Sequence, residues 1–99
     1  MTTWRSEITE VMAARGETFA DVVAMCAAEN KYDDDSKPYD DDSWLDLEFD
    51  GGYGGTNGAY FTVWTTKRVY FPICYDGAEW ASSVPREPDG IATQQMGGG

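Results

Sequence analysis

The stretch YFTVWTTKRVYFPICYDGAEWASSV, residues 60–84, decides the fold. Tyr60 to Thr65 and Arg68 to Tyr75 are rich in aromatic and β-branched residues, and Thr66-Lys67 between them makes a two-residue turn. Asp76-Gly77 is a hairpin signal, because a type I′ turn needs positive φ at both central residues. A further strand starts at Ala78, runs to Val84 and is ended by Pro85. The expectation is three strands, 60–65, 68–75 and 78–84, whose short turns allow only an antiparallel meander. In the middle strand Val69, Phe71, Ile73 and Tyr75 are read as facing the helices, with Tyr70, Pro72 and Cys74 on the other side. Pro72 has no N–H to give the ladder, so that strand is expected either to be irregular there or to leave that donor position unpaired.

Toward the N-terminus, residues 44–50 (WLDLEFD) alternate, Leu45, Leu47 and Phe49 against Asp46, Glu48 and Asp50. This pattern predicts another strand, paired at an edge of the meander, with its acids held outward. Residues 30–43 (NKYDDDSKPYDDDS) have two Asp triplets, a Pro and no apolar period, which predicts a solvated acidic loop. The spacing of Trp4, Ile8, Val11 and Met12 predicts a helix over 3–15, with Thr3 as N-cap and Gly16 at the left-handed C-terminal position. A second helix is predicted over 19–29 from Phe19, Val22, Val23 and Cys26, opened by a capping-box-like pair, Thr18 and Asp21. Residues 86–99 read as an irregular tail. The expected fold class is α+β: two N-terminal helices packed on a three- to four-stranded antiparallel sheet, in a single domain spanning 1–99.

Composition narrows the function. The 99 residues carry 18 Asp and Glu against seven Lys and Arg, a net charge of −11. Such a chain repels nucleic acid and anionic lipid, so neither is expected as a direct partner. Histidine is absent, which removes the commonest general base and metal ligand, and no P-loop, G-x-S-x-G or C-x-x-C motif is present. Asp46, Glu48, Asp50 and Gly51 match the start of an EF-hand loop, but Asn57 stands where the bidentate Glu belongs. No catalytic residue, cofactor or metal is therefore expected. Cys26 and Cys74 lack metal-type spacing and are expected to be small buried thiols. No apolar run reaches the ~20 residues of a membrane helix. The N-terminus has no signal-peptide pattern, and a cytosolic protein is expected.

More than half of the 18 acids lie between Glu29 and Asp50. The expected partner-binding residues are Asp33, Asp34, Asp35, Asp40, Asp41, Asp42, Asp46, Glu48 and Asp50. Tyr53 joins them as an exposed aromatic in the glycine-rich loop GGYGGTNG, residues 51–58. Tyr32, Tyr39 and Trp44 are interleaved with the acids, and aromatics are enriched where proteins meet. One row of strand carboxylates, about 6.6 Å apart, is sparser than the ~1.7 Å charge spacing of duplex DNA. Imitation of DNA would therefore need the Asp triplets laid beside the strand.

The stretch Phe61 to Asp89, FTVWTTKRVYFPICYDGAEWASSVPREPD, resembles small proteins of bacterial viruses and proviruses. The whole chain, short, acidic, without His and dense in aromatics, is similar in style to phage anti-CRISPR inhibitors. That resemblance implies an inhibitor acting in the cytoplasm of a bacterial host. It would occupy the cationic nucleic-acid-binding surface of a CRISPR interference complex or another nucleic-acid-binding protein. It carries over no site residue. The alternative is a non-catalytic phage structural or adaptor module whose acidity only keeps it soluble.

Overall fold

Thr3 opens the first element as expected. In the computed structural model, which describes residues 1–30, 37–52, 57–75 and 78–94, its side chain accepts the N–H of Ser6 at the start of helix α1, Trp4–Ala14. The helix closes in a Schellman motif. The N–H of Gly16, at φ 73°, reaches the carbonyl of Ala13, and that of Glu17 reaches Met12. Trp4, Ile8 and Met12 form its buried stripe.

The second predicted helix is a strand. The capping pair at its start is real: Thr18 accepts from the N–H of Ala20, and Asp21 accepts from the N–H of Thr18. It caps only a single 3₁₀ turn, Phe19–Asp21, after which the chain extends into β1, Val22–Ala28. Small apolar residues fill both periods in VVAMCAA, so helical spacing and strand alternation are equally satisfied locally. Pairing with β2 decides between them.

The sheet has four antiparallel strands in the order β1-β2-β3-β4, with β2 at Tyr60–Thr65, β3 at Arg68–Tyr75 and β4 at Ala78–Pro85. The three C-terminal strands form the expected meander. The Asp76-Gly77 turn lies outside the described residues. The fold class is α+β with one helix rather than two.

The predicted strand over 44–50 does not form. Oδ1 of Asp41 accepts the N–H of Ser43, and a 3₁₀ turn, Ser43–Asp46, follows. The turn drives the adjacent residues Trp44 and Leu45 inward together, whereas a strand would put one of them outside. Leu47 consequently points to solvent, and only Phe49 joins a ladder, through a bridge to Thr2. Residues 37–52 act as a strap over one face of the sheet. It is bridged to the β1 edge at Pro38–Ala28 and to the β4 edge at Gly52–Ala78.

The helix and the strap cover the same face. Trp4 packs its ring 4.7 Å from Phe49 and 4.8 Å, edge-on, from Phe61, and Trp44 stacks on Phe61 at 5.5 Å. Phe61, Val63 and Thr65 of β2 face this core, as do Ala81 and Ser83 of β4. The side of β3 that enters it is the opposite of the expected one. Tyr70, fully buried, sits across from Val63 and Ser83. Val69, Phe71, Ile73 and Tyr75 instead share the far face with Val84, Ser82, Trp80 and Ala78. The reason lies in β4. A helix approaches closely over Ala81 and Ser83 and could not do so over Trp80. The same far face carries Tyr60, Thr62 and Trp64 of β2 and Ala24 and Cys26 of β1. Both cysteines are exposed, contrary to expectation. Cys26 lies on that far face, which no described element covers, and Cys74 lies opposite Glu79 near the end of β3.

Candidate functional site

The strap places the acids on the outside of the covered side. Asp40, Asp41, Asp42, Asp46, Glu48 and Asp50 are all exposed. They are not a strand row, so the regular outward alternation expected of Asp46, Glu48 and Asp50 is absent. Asp33, Asp34, Asp35 and Tyr53 lie outside the described residues.

Three of these carboxylates serve local structure. Asp41 accepts the N–H of Ser43 at the entry to the 3₁₀ turn, and its hydrogen bonds from Ser43 hold its carboxyl below the usual range. Oδ1 of Asp50 accepts the N–H of Gly52, while its carbonyl accepts Nδ2 of Asn57. Asp46 takes a two-pronged hydrogen bond from Arg5 of α1, at 2.7 and 3.0 Å. That bond lowers the Asp46 carboxyl and raises the Arg5 guanidinium. The Arg5 guanidinium also lies 5.6 Å from the centre of the Phe19 ring. Asp40, Asp42 and Glu48 form no ion pair among the described residues.

Between the strap and the start of β2 is a cleft of about 310 Å³. Its buried walls are Trp4, Trp44 and Phe49, with Tyr39 half-buried beside them. Glu29, at the end of β1, and Glu48, on the strap, bring two carboxylates to it, and Asn30 and Asn57 add amides. The entrance is apolar at Leu47, which is 49% exposed. Two structural bonds shape the cleft. Nε1 of Trp4 donates to the carbonyl of Ala59 at 3.0 Å, and Nδ2 of Asn30 donates to the carbonyl of Gly58 at 3.0 Å.

The buried Glu79 holds the loop that leads into the cleft. Its two carboxylate oxygens accept the N–H groups of Asn57 and Gly58, each at 2.9 Å. This residue is therefore structural, and its carboxylate faces inward rather than toward a partner.

A carboxylate-lined, aromatic-walled cleft suits one chemistry above others. The half-buried Tyr39 ring can attract a cation, carboxylates pair with it, and the aliphatic stem of a Lys or Arg covers apolar walls. The sequence named Tyr39, Trp44, Glu29 and Glu48 as neighbours in an acidic segment. It did not reveal that Trp4 and Asn57 join them, because those contacts close across the whole chain. Among the described residues no group of three or more Cys, Asp or Glu side chains is arranged to hold a metal ion. No helix among them is long and apolar enough to cross a membrane.

Comparison of the chain with protein families, with curated proteins and with solved structures finds no match.

Proposed function

We propose that this is a non-catalytic binding protein whose acidic strap docks on a cationic protein surface, with the cleft receiving a basic side chain of the partner. The observation that carries the reading is the cleft itself. Glu29 and Glu48 stand beside Tyr39 and Trp44 in one recess, and the strap that supplies three of them also carries the exposed acids Asp40 and Asp42. A surface of this kind recognises Arg and Lys specifically, while its net charge of −11 steers the encounter and rejects acidic partners. Proteins that handle nucleic acid present the largest cationic grooves. The similarity in style to anti-CRISPR inhibitors makes a bacterial CRISPR interference complex the first target to try. In that role the protein blocks the groove by charge and bulk.

A second reading, a phage structural or adaptor module, is favoured by a different observation: the sheet face away from α1 is apolar and uncovered by any described element.

The test is binding of the purified protein to purified CRISPR interference complexes, with and without competing DNA, at several salt concentrations. The expected result is saturable binding that DNA displaces and that weakens steeply with salt. Reversal of Asp42 and Glu48 to Lys should slow association at least tenfold and flatten the salt dependence, with the fold unchanged. Binding that ignores these substitutions would reduce the acidic strap to a solvated surface.

A further inference from the structure

We infer that the uncovered face of the sheet is a self-association surface, on which a second copy of this chain packs sheet against sheet. The inference does not depend on the partner of the acidic strap.

The face is built for burial. An antiparallel sheet with one solvated face normally alternates apolar and polar residues. Here β3 is apolar on both sides through Val69 to Tyr75, the pattern of a strand covered on both faces. Trp64, Val69, Phe71, Ile73, Tyr75 and Trp80 together line the uncovered side. Tyr75 is 46% exposed, and Trp80, which also lines a recess beside Val11 and Ala14 of α1, is 36% exposed. The remaining positions on that face, Ala24, Cys26, Thr62 and Ser82 among them, are small or neutral. Among the described residues no Asp, Glu, Lys or Arg occupies a paired position on it, although charged residues make up 25% of the sequence.

Charge identifies the occupant. A strongly charged partner gains nothing from a neutral face, and a second copy presents the same neutral face. All of the described strap carboxylates lie on the opposite side of the sheet. With about 10 Å between packed sheets, and a layer of similar thickness outside each, the two acidic layers stand roughly 30 Å apart. That is more than three times the ~8 Å screening length at physiological salt. Self-repulsion therefore does not oppose this dimer, whereas it would oppose one formed through the strap. Four strands of six to eight residues span about 19 by 24 Å. Side-chain relief carries the accessible area of such a face toward the ~600 Å² per partner at which specific pairs begin.

Sedimentation velocity of the full chain, from about 10 to 500 µM, reads the proposal directly. The expected result is a concentration-dependent rise from the 11.0 kDa chain mass to twice that value, undiminished at high salt. Thr62→Lys, at the centre of the face, and Tyr75→Lys, at its exposed rim, should each weaken the association at least tenfold while circular dichroism stays that of the wild type. Tyr75→Lys keeps the test valid if the central variant misfolds. Asp42→Lys, on the far side, should leave association unchanged. A wild-type chain that stays monomeric at 500 µM would overturn the inference. So would a dimer that both face variants leave intact, which would place the contact at a strand edge.

Discussion

The hydroxyl of Tyr70 donates a 2.6 Å hydrogen bond to Oε1 of Glu17, both side chains being buried. This bond ties the middle of β3 to the residue that completes the Schellman motif of α1. It explains which side of β3 turns inward, since only the Tyr70 side reaches the helix end. Burial is the main cause that pushes the Tyr70 phenol well above its ordinary value, and the Glu17 carboxylate adds to it.

Tyr70→Phe should destabilise the protein by about 1–3 kcal/mol, because a buried carboxylate loses a donor. The pH dependence has a definite sign. A phenol whose folded pKa is raised contributes stability that is complete below its ordinary value of 10.0 and is lost as pH rises above it. The gap between wild type and Tyr70→Phe in thermal melts should be constant below pH 10 and shrink above it. A gap that is unchanged into the alkaline range would show that Tyr70 ionises as freely in the folded state as in the unfolded one.

Gly58→Ala should destabilise, although Gly58 has no positive φ. A methyl group there would lie 2.6 Å from Cζ2 of the buried Trp4 ring. The ring is pinned by its bond to Ala59 and cannot retreat, so an overpacking cost of roughly 1–3 kcal/mol is expected. Chemical denaturation with Trp fluorescence measures it. An unperturbed midpoint would mean that Trp4 is not packed against this loop.

The side of the sheet that forms the core is tested by a pair of truncations. Ile8→Ala removes a fully buried helix residue and should cost about 2–5 kcal/mol. Phe71→Ala, on the uncovered face and half-buried, should cost clearly less when measured at low protein concentration. Equal losses would restore the reading in which Phe71 faces the helix.

The Arg5–Asp46 pair should give a small, acid-sensitive contribution, since both side chains are largely exposed. The Asp46 carboxyl is lowered by its hydrogen bond from Arg5. Its contribution is therefore present above the ordinary value of 3.8 and is lost as pH falls through the lower folded value. Thermal melts of Asp46→Asn against wild type should differ slightly at neutral pH and converge in strong acid. A difference that grows with acid would contradict the pair.

The sequence alone determined the features whose physics is local. Thr3, the Thr18–Asp21 pair and Gly16 satisfy backbone groups within a few residues, and each sits where its chemistry indicated. Residues 60–65, 68–75 and 78–84 are strands because aromatic and β-branched runs separated by only two residues leave the chain one compact option. The acidic segment was equally legible, because charge is a property of composition. Tertiary structure decided the rest. VVAMCAA at 22–28 fits both periods, and only the open edge of β2 makes it a strand. WLDLEF at 44–49 alternates on paper, but burying both Trp44, stacked on Phe61, and Leu45 in the core stabilises a turn instead. The inward side of β3 was undecidable locally, since both its sides are apolar. It was set by the small residues Ala81 and Ser83 under α1 and by the reach of Tyr70 to Glu17. The cleft has the same origin. Trp4, Glu29, Trp44 and Asn57 become neighbours only when the helix, the strap and the loop before β2 close over one face of the sheet beside the end of β1.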